Sequence, residues 1–306
     1  MATKQPYRFR TITEYCRLAQ FPKPAHPLIS VINLAGIGPL PDYEPTSMVA
    51  DFYFISLKRG FTGKVRYGQQ AYDFDEGVLS FIAPNQVFSI ELAEGGERTQ
   101  SGWLLALHPD FLWNTPLADK IKQYEYFSYA ANEALCLSEQ EERKVTTVIQ
   151  HLEQEYHGNM DQFSQDVIIA QLDVLLTYSE RFYHRQFLTR KIANHQILQR
   201  LEAVLAAYFD SDAQVKTGLP TVQYVADKLN VSPNYLSGML KVLTGQSTQQ
   251  HIHDKLIEKA KVQLSTTDLS VSEIAYALGF EHSQSFSRLF KTKTSRSPLE
   301  FRQSFN

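Results

Sequence analysis

An internal repeat in the last third of the chain limits its possible folds more than any other feature. The stretches "VQYVADKLNVSPNYLSGMLKVLTGQS" and "VSEIAYALGFEHSQSFSRLFKTKTSRS" align with an offset of 49 residues in their first part and 50 in their second. Each copy has a short segment of helical apolar periodicity, a break, and a second such segment. Repetition of this kind indicates one supersecondary unit used twice. We therefore predict two copies of a helical hairpin.

The break in each copy has the chemistry of a tight turn between two helices. Asn230 in the first copy and Gly279 in the second are residue types that readily adopt the left-handed conformation that ends a helix. Ser232 and Pro233 suit the N-cap and the first position of the next helix, and Ser283 or a near neighbour is expected to cap the second copy. The pattern is that of a helix-turn-helix.

The second helix of each copy combines an apolar side with a polar side. In a helix-turn-helix this helix lies in the DNA major groove, where Asn234 and Gln284 can pair with adenine and Arg288 with guanine. Two hairpins that only pack together are the alternative, but the duplication and the basic ending favour DNA. The predicted outward residues are Asn234, Ser237 and Lys241 in the first copy, and Ser283, Gln284, Ser287, Arg288 and Lys291 in the second.

Charge is distributed unevenly along the chain. The formal net charge is −3, yet residues 286–302 carry five basic residues against one acidic residue, a local charge of +4. Basic residues on phosphates add salt-dependent affinity without reading sequence. The residues predicted to contact phosphate are Lys241, Ser285, Lys291, Lys293 and Arg296.

The preceding part of the chain changes from strands to helices. Residues 29–107 are aromatic, β-branched and interrupted by Gly and Pro, which predicts short antiparallel strands in a sandwich or barrel. Helical periodicity then spans Ser138–His157 and Asp161–Phe187, and Ser138 with Glu141 forms a candidate capping box. This helical pair either covers the β domain or forms a dimer face. The aromatic strand residues are expected to be core rather than to line a pocket.

The sequence therefore predicts an α+β chain of two domains. The first is an antiparallel β-barrel with a helical pair, and the second is an all-α domain with two helix-turn-helix units. The predicted bounds are 1–187 for the first domain with helices at about 138–187, 188–195 for a linker, 196–306 for the second domain, 221–245 and 271–295 for the two units, and 248–264 for the helix that links them.

The last hundred residues resemble the AraC/XylS family of transcription regulators. The likeness is carried by residues around the second unit, namely the IA pair Ile274 and Ala275, the GF pair Gly279 and Phe280, Phe286, the FK pair Phe290 and Lys291, and the SP pair Ser297 and Pro298. The stretches "DFDEGVLSFIAPNQVF" and "GWLLALHPDFL" resemble the family's small cupin-like regulatory barrel more loosely.

The resemblance implies a bacterial regulator whose two units enter successive major grooves, about 34 Å apart, on one face of double-stranded DNA. It also implies a small-molecule effector, a homodimer and RNA polymerase as partners, while the effector-binding residues stay unknown. Two positions depart from the family pattern: Gly238 stands where a long polar side chain often reads a base, and Ser295 stands where Gly is common. The family's base-contacting positions fall on Asn234, Ser237, Gly238, Ser283, Gln284, Ser287 and Arg288.

Two other classes of protein compete with this interpretation. A cupin-type metal enzyme needs a closely spaced HxH followed by Glu and His, whereas the β region offers His26 and His108 far apart. His251 and His253 lie two residues apart, a spacing that does not share one helix face. No catalytic residue, metal or cofactor is predicted, and the chain is not expected to be an enzyme. A helix-turn-helix that binds protein instead of DNA is the other alternative, and salt dependence of binding distinguishes it.

Length and composition set further bounds. A chain of 306 residues can bury two cores, and no apolar run is long enough for a membrane helix, so a cytoplasmic location is expected. Cys16 and Cys136 form no CxxC pair and are expected to be free thiols. The operator, the effector and the direction of the effect on transcription are left open.

Overall fold

The computed structural model describes residues 6–35, 37, 47–59, 65–67, 70–72, 77–88, 101–130, 133–158, 161–189, 191–211 and 213–304, with the backbone alone at 65–67, 70–72, 191–195 and 213. The chain forms two compact units, Met1–Gln186 and Phe187–Asn306. The first is rich in strands and the second is helical, so the chain is a mixed α and β protein, as predicted.

Ten strands are found in the described part of the first unit. They are β1 Tyr7–Phe9, β2 Ile29–Asn33, β3 Met48–Ala50, β4 Tyr53–Arg59, β5 Val65–Tyr67, β6 Gln70–Tyr72, β7 Val78–Ile82, β8 Val87–Phe88, β9 Ser101–Leu107 and β10 Leu135–Cys136. The main sheet has the order β10-β7-β4-β9-β2 and is antiparallel throughout. A smaller sheet has the order β1-β3-β8, and β5 pairs with β6. β1 lies before residues 29–107, the region predicted to form antiparallel strands, and it runs parallel to β3.

The aromatic residues of the strands fill two cores, because successive side chains of a strand point to opposite faces. Phe52 and Phe54 are buried with Phe9 in the core that also includes residues of β1, β3 and β8. On the other face of the main sheet, the ring centroid of Tyr53 lies 5.0 Å from that of Phe127. These rings are core residues, as expected; Tyr67, Tyr72 and Phe74 have side chains outside the described residues.

Four α-helices belong to or begin in the described part of the first unit. They are α1 Ile12–Leu18, α2 Leu117–Lys120, α3 Glu139–His157 and α4 Ser164–Thr189. The Ser138 and Glu141 capping box at the start of α3 is confirmed. The indole Nε1 of Trp103 donates to Glu153 over 3.0 Å and so connects β9 to α3. Cys16 is buried, Cys136 is half-buried, and neither is part of a disulfide.

Eight helices follow α4 in the described residues. They are α5 Lys191–Asp210, α6 Ala213–Thr217, α7 Val222–Leu229, α8 Pro233–Thr244, α9 Thr248–Thr266, α10 Val271–Ala277, α11 Ser283–Thr294 and α12 Pro298–Gln303. Residues expected to form a linker, 188–195, are helical at 188–189 and 191–195, since this stretch contains no Gly or Pro to break a helix. Within the described part of the chain, no helix combines the length and apolarity needed to span a membrane.

The helix α9 is central to the packing of the second unit. Its residues Leu256, Ala260 and Leu264 are fully buried or nearly so. They pack with Phe286 and Phe290 of α11 in one apolar cluster. Because α8 also contacts α9, this linking helix holds both helical pairs, α7 with α8 and α10 with α11.

Candidate nucleic-acid interface

The first helix-turn-helix consists of α7 and α8, and its turn forms as the sequence predicts. Asn230 ends α7 in the left-handed conformation, with φ 57° and ψ 44°. The Ser232 side chain accepts a hydrogen bond from the Tyr235 amide, and Pro233 occupies the first turn of α8. Leu236, Met239 and Leu240 of α8 are fully buried, which leaves the polar side of α8 facing away from the core.

The second helix-turn-helix consists of α10 and α11, and its turn differs in one detail. Gly279 has the predicted positive φ, here 89°. The N-cap of α11 is His282, whose side chain makes no capping hydrogen bond, and Ser283 is already the first helical residue. At the offset of 50, His282 matches Ser232 and Ser283 matches Pro233, so the N-cap position falls on the neighbour of Ser283 and not on Ser283 itself.

Both recognition helices, α8 and α11, end in the same backbone conformation. Gly245 after α8 has φ 75°, and its amide donates to the Lys241 carbonyl oxygen over 3.0 Å. Ser295 after α11 has φ 61°, and its amide donates to the Lys291 carbonyl oxygen over 2.9 Å. The presence of Ser295 where Gly is common leaves this closure unchanged, since serine adopts the left-handed conformation at this position.

The residues predicted to read bases differ in how freely they face solvent. Asn234, Gln284 and Arg288 are exposed, while Ser283, Ser287 and Gly238 are half-buried. Ser237 is also half-buried, and its Oγ lies 3.0 Å from the Thr248 Oγ1 on α9. The second recognition helix thus presents longer exposed side chains than the first.

All five residues predicted to contact phosphate are exposed, but Lys293 also forms an ion pair within the protein. Lys241, Ser285, Lys291 and Arg296 all face solvent. The Lys293 Nζ instead lies 2.7 Å from the Asp254 Oδ1 on α9, and 25% of its side chain is exposed.

The partner of Lys293 is a residue that the sequence prediction missed. Asp254 also accepts a hydrogen bond from the Gln246 Nε2 over 2.8 Å. Partial burial raises the pKa of Asp254, but the hydrogen bonds from Lys293 and Gln246 and the charge of Lys293 outweigh it and lower the pKa. One signal was present in the repeat: at the offset of 50, Lys291 matches Lys241, whereas Lys293 matches Leu243.

The histidines that resembled metal ligands contact other polar groups. The His251 Nε2 lies 2.9 Å from the Thr244 Oγ1, and the His253 Nε2 lies 2.8 Å from the Gln249 Nε2. Burial lowers the pKa of both imidazoles. The Nδ1 of His108, which directly follows β9, accepts a hydrogen bond from the Asp110 amide over 3.2 Å. Within the described residues, no three His, Cys, Asp or Glu side chains group as a metal site.

Comparison with known proteins assigns helix-turn-helix motifs to the same part of the chain. A family model described as a helix-turn-helix domain matches residues 225–304. The uncharacterized HTH-type transcriptional regulator YijO of Escherichia coli (strain K12) is 33% identical over 111 residues, which are 36% of this chain and 39% of that relative. The HTH-type transcriptional activator RhaS of Enterobacter sp. (strain 638) is 28% identical over 256 residues, which are 83% of this chain and 86% of that relative.

A solved structure gives a further likeness. The C-terminal domain of AraT, a response regulator from Geobacillus stearothermophilus, is 33% identical, covering 35% of this chain and 84% of that chain, with a TM-score of 0.31. The two helix-turn-helix motifs and the sequence relatives define a DNA-binding transcriptional regulator. The family match and these relatives support a transcriptional regulator of AraC/XylS type.

Proposed function

We propose that α8 and α11 read bases in successive major grooves on one face of a promoter, about 34 Å apart. The observation that supports this reading is the duplication itself: two recognition helices with polar outer faces both pack against the linking helix α9. Two recognition helices held by one linking helix can contact two DNA sites that lie one helical turn apart.

The two motifs contribute unequally to specificity in this proposal. In α8, Asn234 contacts a base, while Gly238 offers no side chain and Ser237 is hydrogen-bonded to Thr248. In α11, Gln284 and Arg288 extend from the same exposed face and contact bases together with Ser283 and Ser287. Lys241, Ser285, Lys291 and Arg296 contact phosphates. We therefore assign most of the base discrimination to the second motif.

The first domain, residues 1–187, regulates the DNA-binding domain, residues 196–306, in this proposal. Its strands close into a cupin-like barrel that binds a small effector, and the effector acts by binding one conformation of the protein more tightly than another. The protein works in the cytoplasm and recruits RNA polymerase at the promoter.

A homodimer face on α4 completes the proposal. Phe163 just before α4, and Val167 and Val174 within it, are 60%, 42% and 42% exposed. With the exposed Ala170 they form one uncharged stripe at helical spacing, which we call the α4 stripe. A second copy of the chain presents an identical stripe, so two such stripes bury each other.

Selection of binding sites from random double-stranded DNA, followed by hydroxyl-radical footprinting, tests the proposed function. We expect two protected patches on one face, centred one helical turn apart, and affinity that falls steeply with salt. A single protected patch contradicts the two-groove reading. Failure to retain any DNA at low salt contradicts DNA binding and favours a protein partner.

A further inference from the structure

One carboxylate joins the ends of both recognition helices to the linking helix. Asp254 lies two turns into α9. Its Oδ2 accepts from Gln246, which directly follows the residue that ends α8. Its Oδ1 accepts from Lys293, which lies in the last turn of α11. The two donors belong to different helix-turn-helix motifs, so the contact bridges them.

Other contacts at this place serve a single motif. The Ser237 Oγ lies 3.0 Å from the Thr248 Oγ1, and the Thr244 Oγ1 lies 2.9 Å from the His251 Nε2. Both connect α8 to α9. On the other side, α11 packs on α9 through apolar residues such as Phe290, which fix the distance between the helices but have no directional preference. The Lys293–Asp254 pair adds a directional contact at the C-terminal end of α11.

The ion pair with Asp254 also distinguishes the role of Lys293 from that of the neighbouring basic residues. An ammonium that already contacts a carboxylate releases fewer counterions when a phosphate approaches than a free one does. Lys291 matches Lys241 in the repeat and is exposed, whereas Lys293 matches Leu243. Lys291 thus has the features of a phosphate contact in both motifs, and Lys293 has those of a contact within the protein.

We propose that Asp254 is a positioning residue which, through Gln246 and Lys293, sets the spacing between the two recognition helices and thereby the spacing of DNA elements that the protein accepts. The inference rests on the proposed two-groove reading. Inserting one base pair between the elements moves the second groove by about 3.4 Å and rotates it by roughly 34°. A firmly joined pair of motifs rejects such a site, while a loosened pair tolerates it.

The test compares the selected DNA site with versions in which one base pair is inserted or deleted between the two elements. Fluorescence anisotropy gives the dissociation constant of the full-length chain for each DNA. The spacing ratio is the affinity for the selected site divided by that for a shifted site. We expect Asp254→Ala to lower this ratio about threefold or more relative to the unsubstituted protein, since coupled neighbours contribute interaction energies of this order.

Glu258→Gln is the matched control. This substitution also removes one negative charge from α9, but Glu258 contacts Lys255 of the same helix over 2.8 Å, so the spacing ratio should not change. Asp254→Asn and Lys293→Met serve as second variants if Asp254→Ala unfolds, and circular dichroism checks the fold of each. An equal spacing ratio in folded Asp254 variants and in the unsubstituted protein overturns the inference.

Salt dependence provides a second readout. Lys293→Ala should leave the slope of log affinity against log salt unchanged, whereas Lys291→Ala should flatten it by about one unit. Equal flattening by both variants places Lys293 on phosphate and overturns the inference. Failure of the proposed function has a different signature, because the unsubstituted protein then shows no spacing preference at all.

Discussion

Gly279 lies so close to Gln214 that a Cβ on Gly279 would stand 2.8 Å from the Gln214 carbonyl oxygen. Gln214 belongs to α6 and is 5% exposed, so this backbone has little room to move away. Gly279 also has φ 89°, a conformation that side chains disfavour. The turn of the second motif therefore requires glycine for two reasons, its backbone angle and the nearness of α6.

Gly279→Ala should destabilise the second unit by about 2 to 4 kcal/mol, because strain at positive φ adds to a clash with fixed backbone. Gly245→Ala is the control: its φ is 75°, but no atom lies within 4 Å of the added Cβ. That change should cost about 1 kcal/mol through backbone strain alone. Hydrogen exchange of peptides from α8 and α11 measures both. Equal losses of stability in the two variants would show that the closeness of Gly279 to α6 adds no steric cost.

Ser295→Gly should stabilise the end of α11 by up to about 1 kcal/mol, since glycine adopts the left-handed conformation without a steric penalty. The reciprocal change, Gly245→Ser, should destabilise the end of α8 by a similar amount because the two residues have φ values of 61° and 75°. Hydrogen exchange near each helix end is the measurement. Loss of stability in Ser295→Gly would mean that the serine hydroxyl has a role that outweighs its strain.

The turns could be predicted from the sequence because their chemistry is local. Asn230, Ser232 and Pro233 specify a helix end and a helix start within four residues. The Lys293–Asp254 contact could not, since its partners are 39 residues apart and meet only after α9 and α11 have packed. The basic segment around Lys293 therefore indicated a phosphate contact and gave no sign of its ion pair with Asp254.

In the N-terminal sheets, too, the sequence predicted local structure but not the pairing of distant segments. Alternating aromatic and β-branched residues predicted strands in β4 and β9, whose length gives the pattern room to show. β1 has three residues and pairs with β3, about forty residues further along the chain. Three residues are too few to show an alternation of apolar and polar side chains. The pairing of β1 with a strand so far along the chain depends on tertiary packing. The direction of β1 was accordingly beyond sequence reasoning.

Arg288→Ala should weaken binding to the selected site by about 1 to 3 kcal/mol and relax preference at one base pair, as expected for a residue that contacts guanine. Lys291→Ala should weaken binding to all sequences nearly equally. Both side chains are exposed on α11, so neither change should affect folding. Affinities for single-base variants of the site distinguish the two. Uniform weakening by Arg288→Ala would assign this residue to phosphate.

Val174→Asp should raise the dissociation constant of the proposed dimer at least about tenfold, because an interface that buries the α4 stripe would bury an unpaired charge. Gln154→Asp introduces the same charge on the exposed side of α3 and should leave association unchanged. Sedimentation equilibrium of the full-length chain measures both constants. Unchanged association of Val174→Asp excludes the stripe as the dimer face, and a monomeric unsubstituted protein excludes the dimer itself.

The contribution of Asp254 to stability should depend on pH. Its pKa is lowered from the ordinary value of 3.8, so the folded protein favours the carboxylate, and this stabilisation is present above pH 3.8 and lost as the pH falls through the lower folded value. His251 and His253 face the same carboxylate; burial lowers their pKa values from 6.5, and they gain their protons at higher pH than Asp254 does.

The stability difference between the unsubstituted protein and Asp254→Asn isolates this carboxylate from the other titrating groups. We expect the unsubstituted protein to be more stable from pH 7 down to about pH 4, and the difference to shrink below that pH as Asp254 becomes protonated. Hydrogen exchange of α9 and α11 peptides gives the free energy of opening at each pH, with exchange times corrected for the intrinsic rate. A difference that stays constant to pH 3 would mean that the carboxylate charge does not hold Lys293 and Gln246 in place.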